Sequence, residues 1–247
     1  MMKILITNDD GIDADGMRRL VEAAKAFGEV LVVAPDGQRS ASAHSIAIRH
    51  PLDVFEYAYP VPGVTAYTCS GMPADCVRVG VRYILKEKPD LVLAGINYGY
   101  NSATDIQYSG TCGAAFEGAF QGVHSIAVSE NASDCHEVTD HYLHEVLDEL
   151  IHTPLGYGMI HNVNFPGCPL SECKGILRDR TVSRSMFYDD KYKKLKKLEK
   201  SGYQIIVDGQ FNNKAEEGTD MHALVNNYVS IGRVNNVGVM CALEDRL

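Results

Sequence analysis

The sequence predicts an α/β chain of the Rossmann-like kind: a doubly wound, mostly parallel sheet followed by a C-terminal extension of hairpin and short helix. Three observations carry this. Short apolar runs rich in β-branched residues alternate with stretches of helical apolar spacing as far as about residue 165. The first three segments make a strand–helix–strand unit, and parallel strands need such a crossover. Beyond Pro166 the alternation stops and a lysine-rich segment follows.

The run 3–7 (KILIT) reads as the first strand and 29–34 (EVLVVA) as the second. Between them, 17–27 is apolar at Met17, Leu20, Val21, Ala24 and Phe27, the spacing of one helix face. The segment 73–85 repeats that spacing and opens on a proline, which suits a first helical turn whose N–H has no partner. Then come a buried strand at 90–96, a helix of small residues at 114–120, a strand at 125–129, a long amphipathic helix at 136–152 and a strand at 159–164. Past Pro166, strands at 181–188 and 203–207 flank 191–200 (KYKKLKKLEK), a helix-capable run that suits a solvated face or hairpin tip. A short helix at 220–225 and a strand at 228–234 finish the pattern. The chain therefore divides into a Rossmann-like core, 1–169, where any chemistry is expected, and an extension, 170–247. With little core of its own, the extension is expected to be an oligomerisation arm packed on the core or on a partner subunit.

The chain has 247 residues, 45% of them hydrophobic and 22% charged, an ordinary globular composition. Its 23 Lys and Arg against 32 Asp and Glu leave a net charge of −9, which argues against nucleic acid as a partner. No run approaches the roughly 18 apolar residues of a membrane span. The first residues, MMKILITNDDG, lead straight into a strand without the apolar stretch of a secretory signal. The seven cysteines (69, 76, 112, 135, 168, 173 and 241) are odd in number and form no CxxC pair; Cys168 and Cys173 have no second pair to complete a zinc site. A cytoplasmic, reduced protein is the expectation.

In doubly wound sheets ligands bind at the carboxyl ends of the strands. The first strand ends in Asn8-Asp9-Asp10-Gly11, and two adjacent carboxylates there call for a cation or hydrogen bonds. The second ends in Ala34-Pro35-Asp36, followed by Arg39-Ser40. The strand over 90–96 runs into Asn97-Tyr98-Gly99-Tyr100-Asn101. Taken singly each stretch is a turn or polar loop; together they converge on oxygen donors, the ligand type of hard divalent metals. Ser109-Gly110-Thr111 then opens a helix, and helix N-termini attract phosphate, although a plain Ser cap explains the same residues. Neither a GxGxxG nor a GK[ST] motif occurs. A metal beside an anion-binding helix end is equipment for phosphoryl transfer.

These residues also resemble a known family. The blocks ILITNDDG (4–11), APD…RSA…HSI (34–46), SGMPADCV (70–77), GINYGYN (95–101) and YSGTCGAAFEGA (108–119), continued by HNVNFP (161–166) and GTDMHAL…YVSI (218–231), resemble the SurE survival-protein family of metal-dependent nucleotide phosphatases. The resemblance implies one divalent ion per subunit, Mg²⁺ or Mn²⁺. It implies hydrolysis of nucleoside 5′- and 3′-monophosphates, and in some members of short polyphosphate, by homodimers or tetramers that exchange C-terminal elements. It places the metal ligands on Asp9, Asp10, Ser40 and Asn97 and the phosphate turn on Ser109, Gly110 and Thr111, with Asn97 also facing phosphate. Asp9 and Asp10 are the catalytic candidates, Asp9 ahead of Asp10 for orienting a water; His44 and Asn101 are further candidates. The chain departs from the family at Ala41 and Met72, where glycine and threonine are usual, and its Phe187 and Tyr188 match the expected aromatics only in part.

Three other readings compete. A receiver domain would need an aspartate where Asn97 stands, and a haloacid-dehalogenase phosphatase would need DxDx[TV] where Asp9-Asp10-Gly11-Ile12-Asp13 stands. A nucleotide-binding sensor without turnover is the alternative from another class. Within the hydrolase reading, attack by water competes with a covalent route through Ser40, for which His44 is the base nearest in sequence.

Overall fold

The computed structural model of the chain describes residues 1–236; Cys241 and the rest of 237–247 lie outside the described residues, as does the side chain of Tyr188. In chain order the elements are β1 (Met2–Thr7), α1 (Asp15–Ala24), β2 (Gly28–Pro35), β3 (Val54–Glu56), β4 (Thr65–Cys69), α2 (Pro73–Val79), β5 (Leu91–Tyr98), α3 (Gly110–Phe120), β6 (His124–Glu130), α4 (Glu137–Ile151), β7 (Met159–Phe165), β8 (Ile176–Leu177), β9 (Tyr188–Asp189), β10 (Tyr192–Lys197), β11 (Tyr203–Val207), β12 (Gln210–Phe211), α5 (Asp220–Val225) and β13 (Val229–Asn235). A wide helical turn, Gly80–Ile84, continues α2, and a 3-10 turn, Ala103–Gln107, precedes α3.

Nine strands form one sheet in the order β3-β4-β2-β1-β5-β6-β7-β13-β8. The central neighbours pair parallel, while β3 on β4 and β13 on β7 are antiparallel. The order turns over between β1 and β5: the chain winds outward through β2 and β4, then returns to lay β5 on the other side of β1. A crevice opens at such a switch point, beyond the carboxyl ends of the two strands.

Strand period two builds the core on both faces. In β1, Ile4 and Ile6 join the apolar cluster under α1 and α4, while Leu5 joins the one under α2 and α3. In β5, Leu91 and Leu93 take the first side and Val92 and Ala94 the second. The predicted helical stripe Met17, Leu20, Val21 and Ala24 is fully buried on the first face. Helix α1 ends at Ala24, short of the predicted Phe27. Helix α3 begins at Gly110, four residues before the predicted 114, so the turn and the helix are one element.

The extension departs most from expectation. The stretch 181–188 is not a strand: Thr181 makes an isolated bridge with Thr219, and only Tyr188–Asp189 is extended and paired. The reason is a competing side chain, since the Asp220 carboxylate takes the Ser183 N–H at 2.9 Å. The lysine-rich run forms β10, exposed throughout and antiparallel to β11, so the solvated hairpin holds and the helix does not. A helix would stack Lys193 on Lys197 and Lys196 on Lys200 at i,i+4, whereas a strand spreads them. Strands 54–56 and 65–69 carry no apolar run that would announce them. The final strand does more than predicted: β13 joins the core sheet against β7, with Ser230 opposite Asn164. Among the described residues no helix is long and apolar enough to cross a membrane.

Candidate active site

At the switch point β1 gives way to Asn8-Asp9-Asp10-Gly11. Buried Asn8 closes this turn on Gly11 in both directions, donating to its carbonyl at 2.8 Å and accepting its N–H at 3.2 Å. The Arg39 N–H donates to the Asp9 carbonyl at 2.6 Å and so ties the loop after β2, with Ser40 on it, to the same turn. The far end of that loop is held by Asp75, whose buried carboxylate accepts the Ala47 N–H at 3.0 and 3.1 Å and the Met72 N–H at 3.0 Å. The aspartate of the SGMPADCV block thus caps α2 and pins the serine loop at once. Ala41, next to Ser40, has φ 54°, the left-handed region that favours glycine. From β5 comes Asn97, whose side-chain N–H donates to the Gly99 carbonyl at 2.8 Å and leaves its oxygen as the acceptor. The backbone here needs a glycine at Gly95, with φ 137°, where a Cβ would lie 2.2 Å from the Val128 carbonyl oxygen.

Asp9 is only 4% exposed, and the Thr111 hydroxyl donates to its Oδ1. Burial pushes its carboxyl up to about 6; the Thr111 hydroxyl pulls the other way and the Asp10 charge adds to the rise. Gly110 permits the approach: a Cβ there would sit 2.9 Å from the Asp9 Cβ and 2.6 Å from the Ser42 hydroxyl. Ser109 caps α3 by accepting the Cys112 N–H at 3.0 Å. Of the three turn residues, Thr111 is therefore committed to Asp9, and Ser109 is the one on the cavity wall.

The cavity measures about 380 Å³ and is lined by Asp9, Ser40, Asn97, Asn101 and Ser109. Tyr98, Tyr100 and Tyr108 add aromatic walls, and Met186 and Asp190 reach in from the extension. Asp10 faces a neighbouring cavity of about 300 Å³ with Arg19, Glu130 and His136, and accepts the Tyr98 N–H at 3.0 Å. Burial raises its carboxyl, opposed by hydrogen bonds from Tyr98 and Gln38. Three of the four candidate metal ligands thus line one cavity and the fourth lines the next, with Tyr98 on both. Among the described residues no three His, Cys, Asp or Glu side chains gather as a metal cluster. The donors present are carboxylate, hydroxyl and carboxamide oxygens, a set that fits a hard divalent cation and not a soft one.

His44 is not among the residues that line this cavity. Its Nε2 lies 3.0 Å from Oε2 of buried Glu117, and its ring stacks on Phe120 at 5.3 Å. Asn101 is buried and held by backbone and side chain together. Its N–H donates to Asn164 Oδ1 at 2.8 Å, its carbonyl accepts from Asn162 at 2.8 Å and Asn164 at 3.1 Å, and its Nδ2 donates to Ser129 at 2.8 Å. Sequence reasoning missed Asn162 and Asn164, although two asparagines two apart in a buried strand share one face and signal a polar duty there. It also missed Asp75 and Asp220 as anchors, and Asp105 and Asp190 on the cavity wall, which carry no signal in isolation.

The family model for Survival protein SurE matches residues 4–187. The chain is 39% identical over 235 residues to a protein named 5′-nucleotidase SurE from Clostridium botulinum (strain Loch Maree / Type A3), covering 93% of this chain and 91% of that one. It is 38% identical over 232 residues to a protein of the same name from Flavobacterium johnsoniae, covering 92% and 88%. The crystal structure of the SurE protein from Aquifex aeolicus superposes with a TM-score of 0.83 at 32% identity, over 99% of this chain and 98% of that one.

Proposed function

The chain belongs to the SurE family, and on that premise we propose that it is a divalent-metal-dependent 5′-nucleotidase, a phosphomonoester hydrolase that releases phosphate from nucleoside 5′-monophosphates and also accepts 3′-monophosphates. The observation that carries the reading is the convergence of Asp9, Ser40, Asn97 and the capped start of α3 on one cavity at the sheet's switch point.

Asp9, Ser40 and Asn97, with Asp10 from the adjoining cavity, would hold one Mg²⁺ or Mn²⁺. When bound, that ion neutralises phosphate charge and makes water more acidic. The protein's own groups do the rest. Ser109 at the cap and the first N–H groups of α3 hold phosphate oxygens, and the helix dipole favours the negative charge. Thr111 fixes the Asp9 carboxylate through one oxygen, and the other is left to orient a water for in-line attack. Tyr98 and Tyr108, both more than half exposed, offer faces for a base. Commitment of His44 to Glu117 leaves Ser40 without that base, which supports direct attack by water and inversion at phosphorus over a phosphoserine route.

The deciding experiment is phosphate release from nucleoside monophosphates with Mn²⁺ or Mg²⁺, with and without excess chelator. Metal-dependent turnover supports the reading, and full activity under chelation sinks the metal. Tight binding with no release would make the protein a nucleotide sensor. Asp9→Asn is expected to lower turnover by orders of magnitude. We further propose that the hairpin of β10 and β11 is a self-association arm, because Leu195, Ile205, Ile206 and Val207 are exposed on it and an isolated two-stranded hairpin is marginal in water. Sedimentation at the 27.1 kDa chain mass would refute that.

A further inference from the structure

The cavity that would take the phosphate has an unusual charge balance. Its described lining includes the carboxylates of Asp9, Asp105 and Asp190 and no Lys, Arg or His. We propose that Asp105 and Asp190 act as a charge filter that restricts this site to substrates with a single phosphoryl group. The inference rests on the nucleotidase reading and sharpens it by disfavouring nucleoside di- and triphosphates and polyphosphate.

Both residues are placed by backbone structure. Asp105 lies in the 3-10 turn Ala103–Gln107, and its carbonyl accepts the N–H groups of Tyr108 at 3.0 Å and Ser109 at 3.1 Å. Its distance from the α3 cap is therefore fixed. Asp190 directly follows β9, which is held by pairing with β12. The adjacent cation does not neutralise it, because Lys191 pairs with Asp189 at 3.6 Å. The two carboxylates also sense each other: burial first, and then the Asp190 charge, raise the Asp105 carboxyl above its ordinary value.

One phosphoryl group at the α3 cap meets helix N–H donors and the proposed cation. Any further phosphoryl group must extend into the remaining cavity, where the charged residues are carboxylates alone. Asp105 is half-buried and Asp190 exposed, so like charges across this open cavity repel through a partly screened field, whereas a neutral nucleoside meets no such penalty. The Asp105 and Asp190 oxygens can accept hydrogen bonds from sugar hydroxyls, so the same pair that rejects phosphate tolerates a nucleoside.

The test compares kcat/KM for AMP, ADP, ATP and tripolyphosphate at fixed free Mn²⁺ in the wild type and in Asp105→Asn, Asp190→Asn and Asp190→Lys. Calorimetric binding of ADP and AMP in the absence of metal is a second readout. The wild type should prefer AMP. The ADP-to-AMP ratio should rise on the order of twofold to tenfold in Asp105→Asn, less in Asp190→Asn because that carboxylate is exposed and screened, and further in Asp190→Lys. Added salt should shrink the wild-type preference. A wild type that uses ADP or tripolyphosphate as well as AMP, or a ratio that does not follow charge along the Asp, Asn, Lys series, overturns the filter. Absence of hydrolysis of any monophosphate would instead overturn the nucleotidase reading itself.

Discussion

The Thr111 hydroxyl donates to the carboxylate of Asp9, joining the second residue of α3 to the turn that ends β1. Both groups are buried, so the bond sets which Asp9 oxygen faces the cavity. Thr111→Val keeps the shape and removes the donor; Thr111→Ser keeps the donor. Turnover of the valine variant should fall about 10- to 100-fold, the effect of misplacing a reacting group by about 1 Å. The serine variant should recover most of it, with thermal unfolding little changed. Equal activity in the two variants would show that the bond is not needed for positioning.

Asn101 makes a second anchor of this kind. Asn164 both accepts its N–H and donates to its carbonyl, which clamps the loop after Asn97 to the end of β7. Asn164→Ala should strip a buried N–H of its partner, a loss of about 1–3 kcal/mol. Urea unfolding would read the stability loss, and a raised KM would read the loosened loop. An unaltered urea midpoint would place the strength of the clamp in Asn162.

Ala41 stands in the left-handed region beside Ser40. A non-glycine residue there loses roughly 1–2 kcal/mol, while glycine costs about 0.5–1 kcal/mol in unfolded-chain entropy. Ala41→Gly should therefore be neutral to about 1 kcal/mol stabilising. Destabilisation on differential scanning calorimetry would mean that the alanine methyl has a contact of its own to lose.

The core of the fold was legible in the sequence because its signals are local. The alternation of Ile4, Leu5 and Ile6 and the stripe from Met17 to Ala24 declare buried faces without any knowledge of neighbours. The shared cavity of Asp9, Ser40 and Asn97 was legible for the same reason, since strand-end residues of a doubly wound sheet fall together by topology, whereas the turning of Asp10 to the next cavity was not. What was not legible depends on distant partners. Ser183 bonds to Asp220, 37 residues away, and the predicted strand over 181–188 dissolves accordingly. His44 looked close to Ser40 in sequence, yet its partner, Glu117, lies 73 residues on. The lysine-rich segment fits helix and strand alike until β11 is there to pair with it.

Buried His161 and half-buried His124 predict how stability responds to acid. His124 Nε2 meets the Leu150 carbonyl at 2.9 Å and His161 Nε2 the Thr153 carbonyl at 3.0 Å, with ring centres 5.4 Å apart under the end of α4. A carbonyl only accepts, so each Nε2 carries the hydrogen. Burial is the main cause that lowers both from their ordinary value; the Leu150 and Thr153 carbonyls oppose it, and for His161 the neighbouring His124 and Arg233 lower it further while Glu149 raises it. Both are thus neutral in the native state where the unfolded chain begins to protonate them. Below about pH 6.5 the unfolded state then binds more protons, so stability rises with pH. The contribution is complete above about pH 6.5 and is lost as the pH falls toward the lowered native values. Each histidine adds a slope of at most about 1.4 kcal/mol per pH unit in that window. Glu117 and Glu149, whose carboxyls are lowered from an ordinary value of 4.5, act at lower pH. Asp9, raised to about 6, and Asp10, Asp105 and Asp220, also raised, hold protons in the native state and oppose the histidine slope. The carboxylates are common to both proteins, so the histidine contribution is read as a difference: between pH 8 and 5 the urea midpoint of the wild type should lose more on acidification than that of His124→Gln/His161→Gln. A double variant with the wild-type slope would place the acid sensitivity elsewhere in the chain.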